Sequence, residues 1–426
     1  MIRALAVMLA FACAEPAGAQ TLAITGGRIV TMGPAGEIER GTLLISDGRI
    51  VAVGADVAVP QGAKVVDASG RIVTPGLVAT GAALGLIEVR SVEATDDRGT
   101  AAEDFSAAFD AGYGLNPDSL LIPVARLGGI TRAITTPVYK DMGGRERVFA
   151  GQAAAVVLDG RAMLMKRGVA MVLEMGDAGA GRAGGARGAQ LVALRALLAE
   201  VRDYKTRRAA YDRGEARDYM LSRADMNALV PVVEGRMPLL VSVNRAADIR
   251  DALALAREEG LKLILESAGE GWRVADEIAA AGVPVLLTPV KNTPASFETL
   301  GATLSNAARL AAAGVTIAIE GNGNHREREM RYNAGNAAAN GLDRQAALAT
   351  ITINPARIFG LAGRIGSLEV GKEGDAVIWD GDPLDTLARP LAVFIRGAAM
   401  PMTSRATELR DRYLPSALPP TNGEIR

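Results

Sequence analysis

Three glutamates and a single histidine are the side chains of this 426-residue chain that could move a proton from the tips of apolar segments. Glu174, Glu266 and Glu320 sit at or next to the end of apolar runs at 170–175, 262–267 and 315–320. A carboxyl group withdrawn from water keeps its proton to higher pH, and several together can hold a hard cation through oxygen. Side chains alternate along a strand, so a carboxylate one step off the inward phase points at the helices. His325 follows the last run in Gly321-Asn322-Gly323-Asn324-His325. Imidazole titrates near neutral pH, so His325 reads either as a general base or substrate contact, or as one more polar residue of a solvated loop. Lys140, Asp141, Arg145 and Arg147 lie in a Gly-containing loop and read as contacts for an anionic ligand or as solvated charges.

The elements that must position these groups follow from periodicity. Apolar runs at 77–80, 129–136, 153–158, 170–175, 239–244, 262–267, 283–288 and 315–320 alternate with amphipathic stretches at 247–259, 272–281 and 305–313. Continuous apolar strands alternating with helices predict a parallel sheet buried on both faces, and eight of them predict a (β/α)8 TIM-like barrel. A doubly wound sheet is the alternative, but no Gly-x-Gly-x-x-Gly opens a helix after the first strand. Before the barrel, short β-branched runs separated by Gly26-Gly27, Asp47-Gly48 and Ser69-Gly70 predict hairpins. Similar short runs return at 366–396, so both chain ends are expected to build one small β-sandwich. The predicted domains are a composite sandwich of 21–74 with 364–403, a barrel over 75–363 with an insertion at 176–225, and a tail at 404–426. Within the insertion, 176–189 reads as a flexible Gly-rich loop and 190–223 as a charged helical cap over the barrel mouth, an oligomer contact or a solvated helix.

Composition narrows the classes. A formal net charge of −1 with 22% charged residues leaves no basic footprint for nucleic acid. Residues 1–20 have Arg3, an apolar run at 4–14 and Ala17-Gly18-Ala19, which reads as a signal peptide and predicts a periplasmic or secreted protein. That run is too short to span a membrane. Cys13 is the only cysteine and would leave with this segment, or carry a lipid in the alternative lipoprotein reading.

Several motifs resemble the amidohydrolase superfamily. Pro75-Gly76-Leu77-Val78 followed by Leu84-Gly85-Leu86 resembles its first barrel strand, Gly366-Ser367-Leu368-Glu369-Val370-Gly371-Lys372 its C-terminal signature, and Asn354-Pro355-Ala356 its Asn-Pro-Ala helix. Asn116-Pro117 and Arg331-Tyr332-Asn333 resemble a secreted, imidazolonepropionase-like subgroup. The resemblance implies hydrolysis of non-peptide C–N bonds by zinc-activated water. It places the family's metal-binding histidines at Gly81, Ala83, Asn244 and Ser267, and its eighth-strand aspartate nearest Asn322; Glu266, one step before the histidine position, is therefore expected to face outward in a structural role and pair with Arg or Lys. No metal ligand and no cofactor are therefore expected here. The candidate catalytic residues are His325, Glu320 and Asn322, and the candidate substrate contacts are Asn244, Ser267, Glu174 and Lys140. A pseudoenzyme that binds a small molecule, as a homo-oligomer or beside a metal-bearing relative, is the alternative function.

Overall fold

The computed structural model describes residues 21–89, 91–102, 104, 106–140, 147–291, 293–321 and 326–414. The segment 1–20 expected to be a signal peptide, the end of the tail, Asp141, Arg145, Asn322 and His325 lie outside the described residues. Strands β1 (Leu22–Val30), β2 (Glu37–Ser46), β3 (Arg49–Gly54), β4 (Lys64–Asp67) and β5 (Ile72–Pro75) precede the barrel strands. The latter are β6 (Leu77–Ala82), β7 (Ile130–Thr135), β8 (Phe149–Val157), β9 (Leu164–Glu174), β10 (Leu239–Val243), β11 (Leu263–Ser267), β12 (Val285–Leu287) and β13 (Ile317–Ile319). Last come β14 (Ala376–Trp379), β15 (Pro390–Ile395) and β16 (Ala398–Ala399).

The two chain ends share one sheet, in the order β16-β15-β14-β5-β1-β2-β3 with β4 also on β1. Its join is the antiparallel pair β5 and β14, where Pro75 faces Ala376. Asp47-Gly48 turns β2 into β3 with both residues at positive φ, 50° and 75°, as a two-residue hairpin requires. The other two expected hairpins are different. Gly26-Gly27 lies inside β1, where the register with β2 shifts, so it is a bulge. Ser69-Gly70 is a turn between β4 and β5, both parallel to β1.

The second sheet runs β13-β12-β11-β10-β9-β8-β7-β6 and curls into the barrel. It is mostly parallel, but β8 is antiparallel to both neighbours, which corrects the expectation of eight parallel strands. The segment between β8 and β9, residues 158–163, is too short for a crossover, which needs about a dozen residues. Across the seam between β13 and β6, Ile319 N–H donates to the Thr350 carbonyl and Val78 N–H to that of Ile351. Asn354, at the start of the expected Asn-Pro helix Ile353–Ile358, donates its amide to Ile317 O at 2.9 Å.

One buried layer inside the barrel combines Val78, Ile134, Val172, Leu240, Ile264, Leu286 and Ala318. Their strand neighbours Ala79, Ala133, Leu173, Val241, Leu265, Leu287 and Ile319 pack in the other cluster, with the helices. This period of two carries the next inward layer to Thr80, Glu174, Ser242, Glu266, Thr288 and Glu320. Residues 176–189 are a loop only at 182–186: Gly176–Gly181 is helical, held where Asp177 N–H meets the Glu298 carboxylate at 2.6 Å, and the next helix begins at Arg187. The helix Arg187–Asp212 runs down the barrel flank beside the helix Ala246–Glu259. Arg187 bonds Asp248 at one end and Arg202 bonds Glu259 at the other, so this helix does not lie across the mouth.

Candidate functional site

At the C-terminal ends of the strands, where a barrel of this kind gathers its reactive groups, lies a cavity of about 430 Å3. Its lining includes Gly81, Tyr139, Glu174, Ser242, Asn244, Glu266, Ser267, Thr288, Lys291 and Glu320. Four of the expected residues, Glu174, Asn244, Ser267 and Glu320, therefore meet here. Lys140 is not in the lining, and its ammonium donates to the Asp96 carbonyl. Glu266 faces the cavity, contrary to the outward orientation expected of it, because it stands two residues beyond inward Ile264.

Ser267 should then face outward, yet it also lines the cavity. Its φ of +71° breaks the alternation, and Ala268 follows at +41°. Non-glycine residues held there cost about 1–3 kcal/mol, so surrounding contacts must impose the turn. Asn244 supplies one, accepting from Gly269 N–H at 3.2 Å. The turn brings Ser267 Oγ to 3.5 Å from Ser242 Oγ.

Glu320 is buried, and its Oε1 has no hydrogen-bond partner among the described residues. A Cβ added to Gly81, which itself has φ +58°, would stand 2.5 Å from that oxygen. The carboxyl group thus fills the space over a position where the resembling family carries a histidine. Burial, and then the charge of Glu266, push the Glu320 pKa well above the ordinary value, against a smaller opposing pull from Lys291. The Thr80 hydroxyl lies close enough to temper this shift but makes no hydrogen bond of normal geometry. Glu266 is raised for the same first reason, burial, opposed by the Ser242 hydroxyl and Lys291. Neutral carboxyl and carboxylate can thus coexist in one cavity, a donor beside an acceptor.

Glu174 is engaged differently. Arg182 Nε donates to its Oε2 at 3.2 Å while the guanidinium stacks 3.5 Å from the Tyr139 ring centre. At Ala83, the other first-strand histidine position, the backbone N–H donates to buried Glu327 at 3.0 Å. Zinc takes nitrogen or sulfur ligands with few carboxylates, and Gly81, Ala83, Asn244 and Ser267 supply no imidazole. Among the described residues no group of three or more His, Cys, Asp or Glu is placed to hold a metal ion. Ser242, Lys291, Thr80 and Tyr139 were missed in the sequence. The period-two phase from Leu240 would have found Ser242, whereas nothing marks Lys291 except its place after the seventh strand.

Comparison with known proteins agrees with this architecture. The structure of an amidohydrolase from Thermotoga maritima MSB8 superposes with a TM-score of 0.78 at 24% identity, covering 90% of this chain and all of that one. Molinate hydrolase superposes at 0.56 with 18% identity, covering 96% and 99%. Amidohydrolase tasK of Hapsidospora irregularis is 44% identical over 59 residues, 14% of this chain and only 6% of that protein's length. Among the described residues no helix is long and apolar enough to cross a membrane. Residues 203–400, a little under half of the chain, match the profile of the Amidohydrolase family.

Proposed function

We propose that the barrel mouth is a metal-independent acid–base site acting on the C–N bond of a small polar molecule. The observation that carries this reading is the buried Glu320 carboxyl occupying the space above Gly81 with one oxygen unpartnered among the described residues. A neutral Glu320 carboxyl there can protonate a leaving nitrogen, while Glu266, with the Lys291 ammonium in the same lining, accepts a proton when ionised. General acid–base catalysis of this kind contributes about 10²–10⁴-fold. The purified full chain, assayed on a panel of amides, lactams and ureas, is expected to keep its turnover in EDTA and to carry no stoichiometric zinc. Glu320→Gln should lose at least about 100-fold in kcat. Stoichiometric zinc, with turnover abolished by chelation, would overturn the proposal. A leader at 1–20 would put this site in the periplasm or outside the cell.

A second reading, binding without turnover, is favoured by the Glu174–Arg182 pair, which withdraws the fourth-strand carboxylate from activating water. Calorimetry would then find a ligand among compounds that the chain never hydrolyses.

A further inference from the structure

The strained turn at the end of β11 has a chemical consequence. Glu266 and Ser267 are consecutive in a strand and should face opposite ways, yet both line the mouth. The positive φ at Ser267 and again at Ala268 turns the hydroxyl inward, to 3.5 Å from Ser242 Oγ. Ser242 is in turn the direct neighbour of Glu266 across the β10–β11 pair, on the same inward face. The Ser242 hydroxyl and the Lys291 ammonium both act on the Glu266 carboxyl. Two hydroxyls and a carboxylate thus share one strand end, with the Lys291 ammonium also in the lining.

From this we infer that Ser267 is a nucleophile that forms a covalent acyl intermediate, with Ser242 relaying its proton to Glu266. The inference rests on the acid–base reading of the mouth and deepens it by naming the substrate class as small acyl donors, amides or lactams. In the first half, Ser267 Oγ bonds to the carbonyl carbon, and its proton passes to Ser242, whose own proton passes to the Glu266 carboxylate. The C–N bond breaks and its nitrogen takes the proton of Glu320. In the second half, water adds to the ester carbon and gives a proton to ionised Glu320. The ester C–O bond then breaks, and Ser267 regains its proton from Glu266 through Ser242. The sum is one water consumed, one acid and one amine released, and every residue restored. A hydroxyl needs a base to act as a nucleophile, and the backbone turn is what places Ser267 beside Ser242, the relay to that base.

The test is acyl and phosphonyl trapping on the full chain. Protein treated with p-nitrophenyl acetate, and separately with a fluorophosphonate, is weighed intact and mapped by peptide mass. The expected result is one adduct on the peptide holding Ser267, absent in Ser267→Gly and formed at least about tenfold more slowly in Ser242→Ala and Glu266→Gln. Glycine is chosen because it accepts the positive φ, so this variant keeps the turn. No adduct on the native chain with either reagent, an adduct elsewhere, or one that persists in Ser267→Gly would overturn the inference. Amide turnover that survives Ser267→Gly but falls in Glu320→Gln would also overturn it, leaving water as nucleophile and the acid–base reading intact. Turnover that survives Glu320→Gln would instead remove that reading.

Discussion

A buried carboxyl that resists ionisation leaves a mark on stability as well as on chemistry. Unfolding returns Glu320 to the ordinary carboxylate range, about 4.3, whereas burial and Glu266 hold it well above that in the fold. Between these values the folded chain binds the extra proton, so the stability contributed by this group falls as pH rises and stays lost above the raised value. Glu320→Gln cannot ionise. Its melting temperature relative to the native chain should therefore climb as pH rises from the acidic side through neutrality, and a difference independent of pH would contradict the burial described here. Gly81 tests the same contact from the opposite side. Gly81→Ala places a Cβ 2.5 Å from Glu320 Oε1 at φ +58°, with an expected loss of about 1–3 kcal/mol in denaturant melts. The loss should shrink when Glu320 is shortened to Ala, because only the backbone strain then remains.

Elements hold the cavity in place through a few charged ties among the βα loops. Arg187, at the start of its long helix, bonds Asp177, buried Asp248 and Glu298. Removing it leaves Asp248 with the more distant Arg245, at 3.7 Å. Arg187→Ala is expected to cost about 1–3 kcal/mol and to raise KM more than it lowers kcat, measured by melts and steady-state kinetics. Much of this architecture was legible in the chain. The strand runs predicted all eight barrel strands, and Gly366–Lys372 predicted the return of the chain to the first sheet. The reversed direction of β8 was not legible, since an apolar run such as Ala153-Ala154-Ala155-Val156 reads alike either way. Only the short 158–163 connection betrays it. Gly176–Gly181 was taken for a loop because its composition disfavours a helix, and contacts with Gln190 and with Glu298, the latter distant in sequence, override that preference. At the mouth, the residues on strict alternation could be found, whereas the inward turn of Ser267 depends on a backbone angle that no residue type announces.

At the scale of the whole molecule, the question is what makes barrel and end-sheet one unit. Arg132 of β7 is fully buried and donates to Asp375 at 2.5 and 2.8 Å and to Glu373 at 2.7 Å, both from the C-terminal block beside β14. Arg364 and Arg396 add further bonds to Glu373. Burial alone would raise the Glu373 pKa, but Arg132 and then the other guanidinium groups outweigh it and hold it below the ordinary value. The stability this carboxylate supplies is present above the unfolded pKa and is lost as pH falls through the folded one. Deleting the central cation strands two buried carboxylates, so Arg132→Met should cost about 3–5 kcal/mol in urea melts at neutral pH. Lowering the pH should narrow that deficit, because protonated carboxyls tolerate the loss of the guanidinium. Adding Glu373→Gln and Asp375→Asn should recover part of it at neutral pH, since the uncompensated charge is the larger share of the cost. If Arg132→Met instead melts like the native chain, the two sheets are held together by apolar packing around Trp379, whose ring lies against Gly129 and packs in one cluster with Leu77 and Ile130 of the barrel.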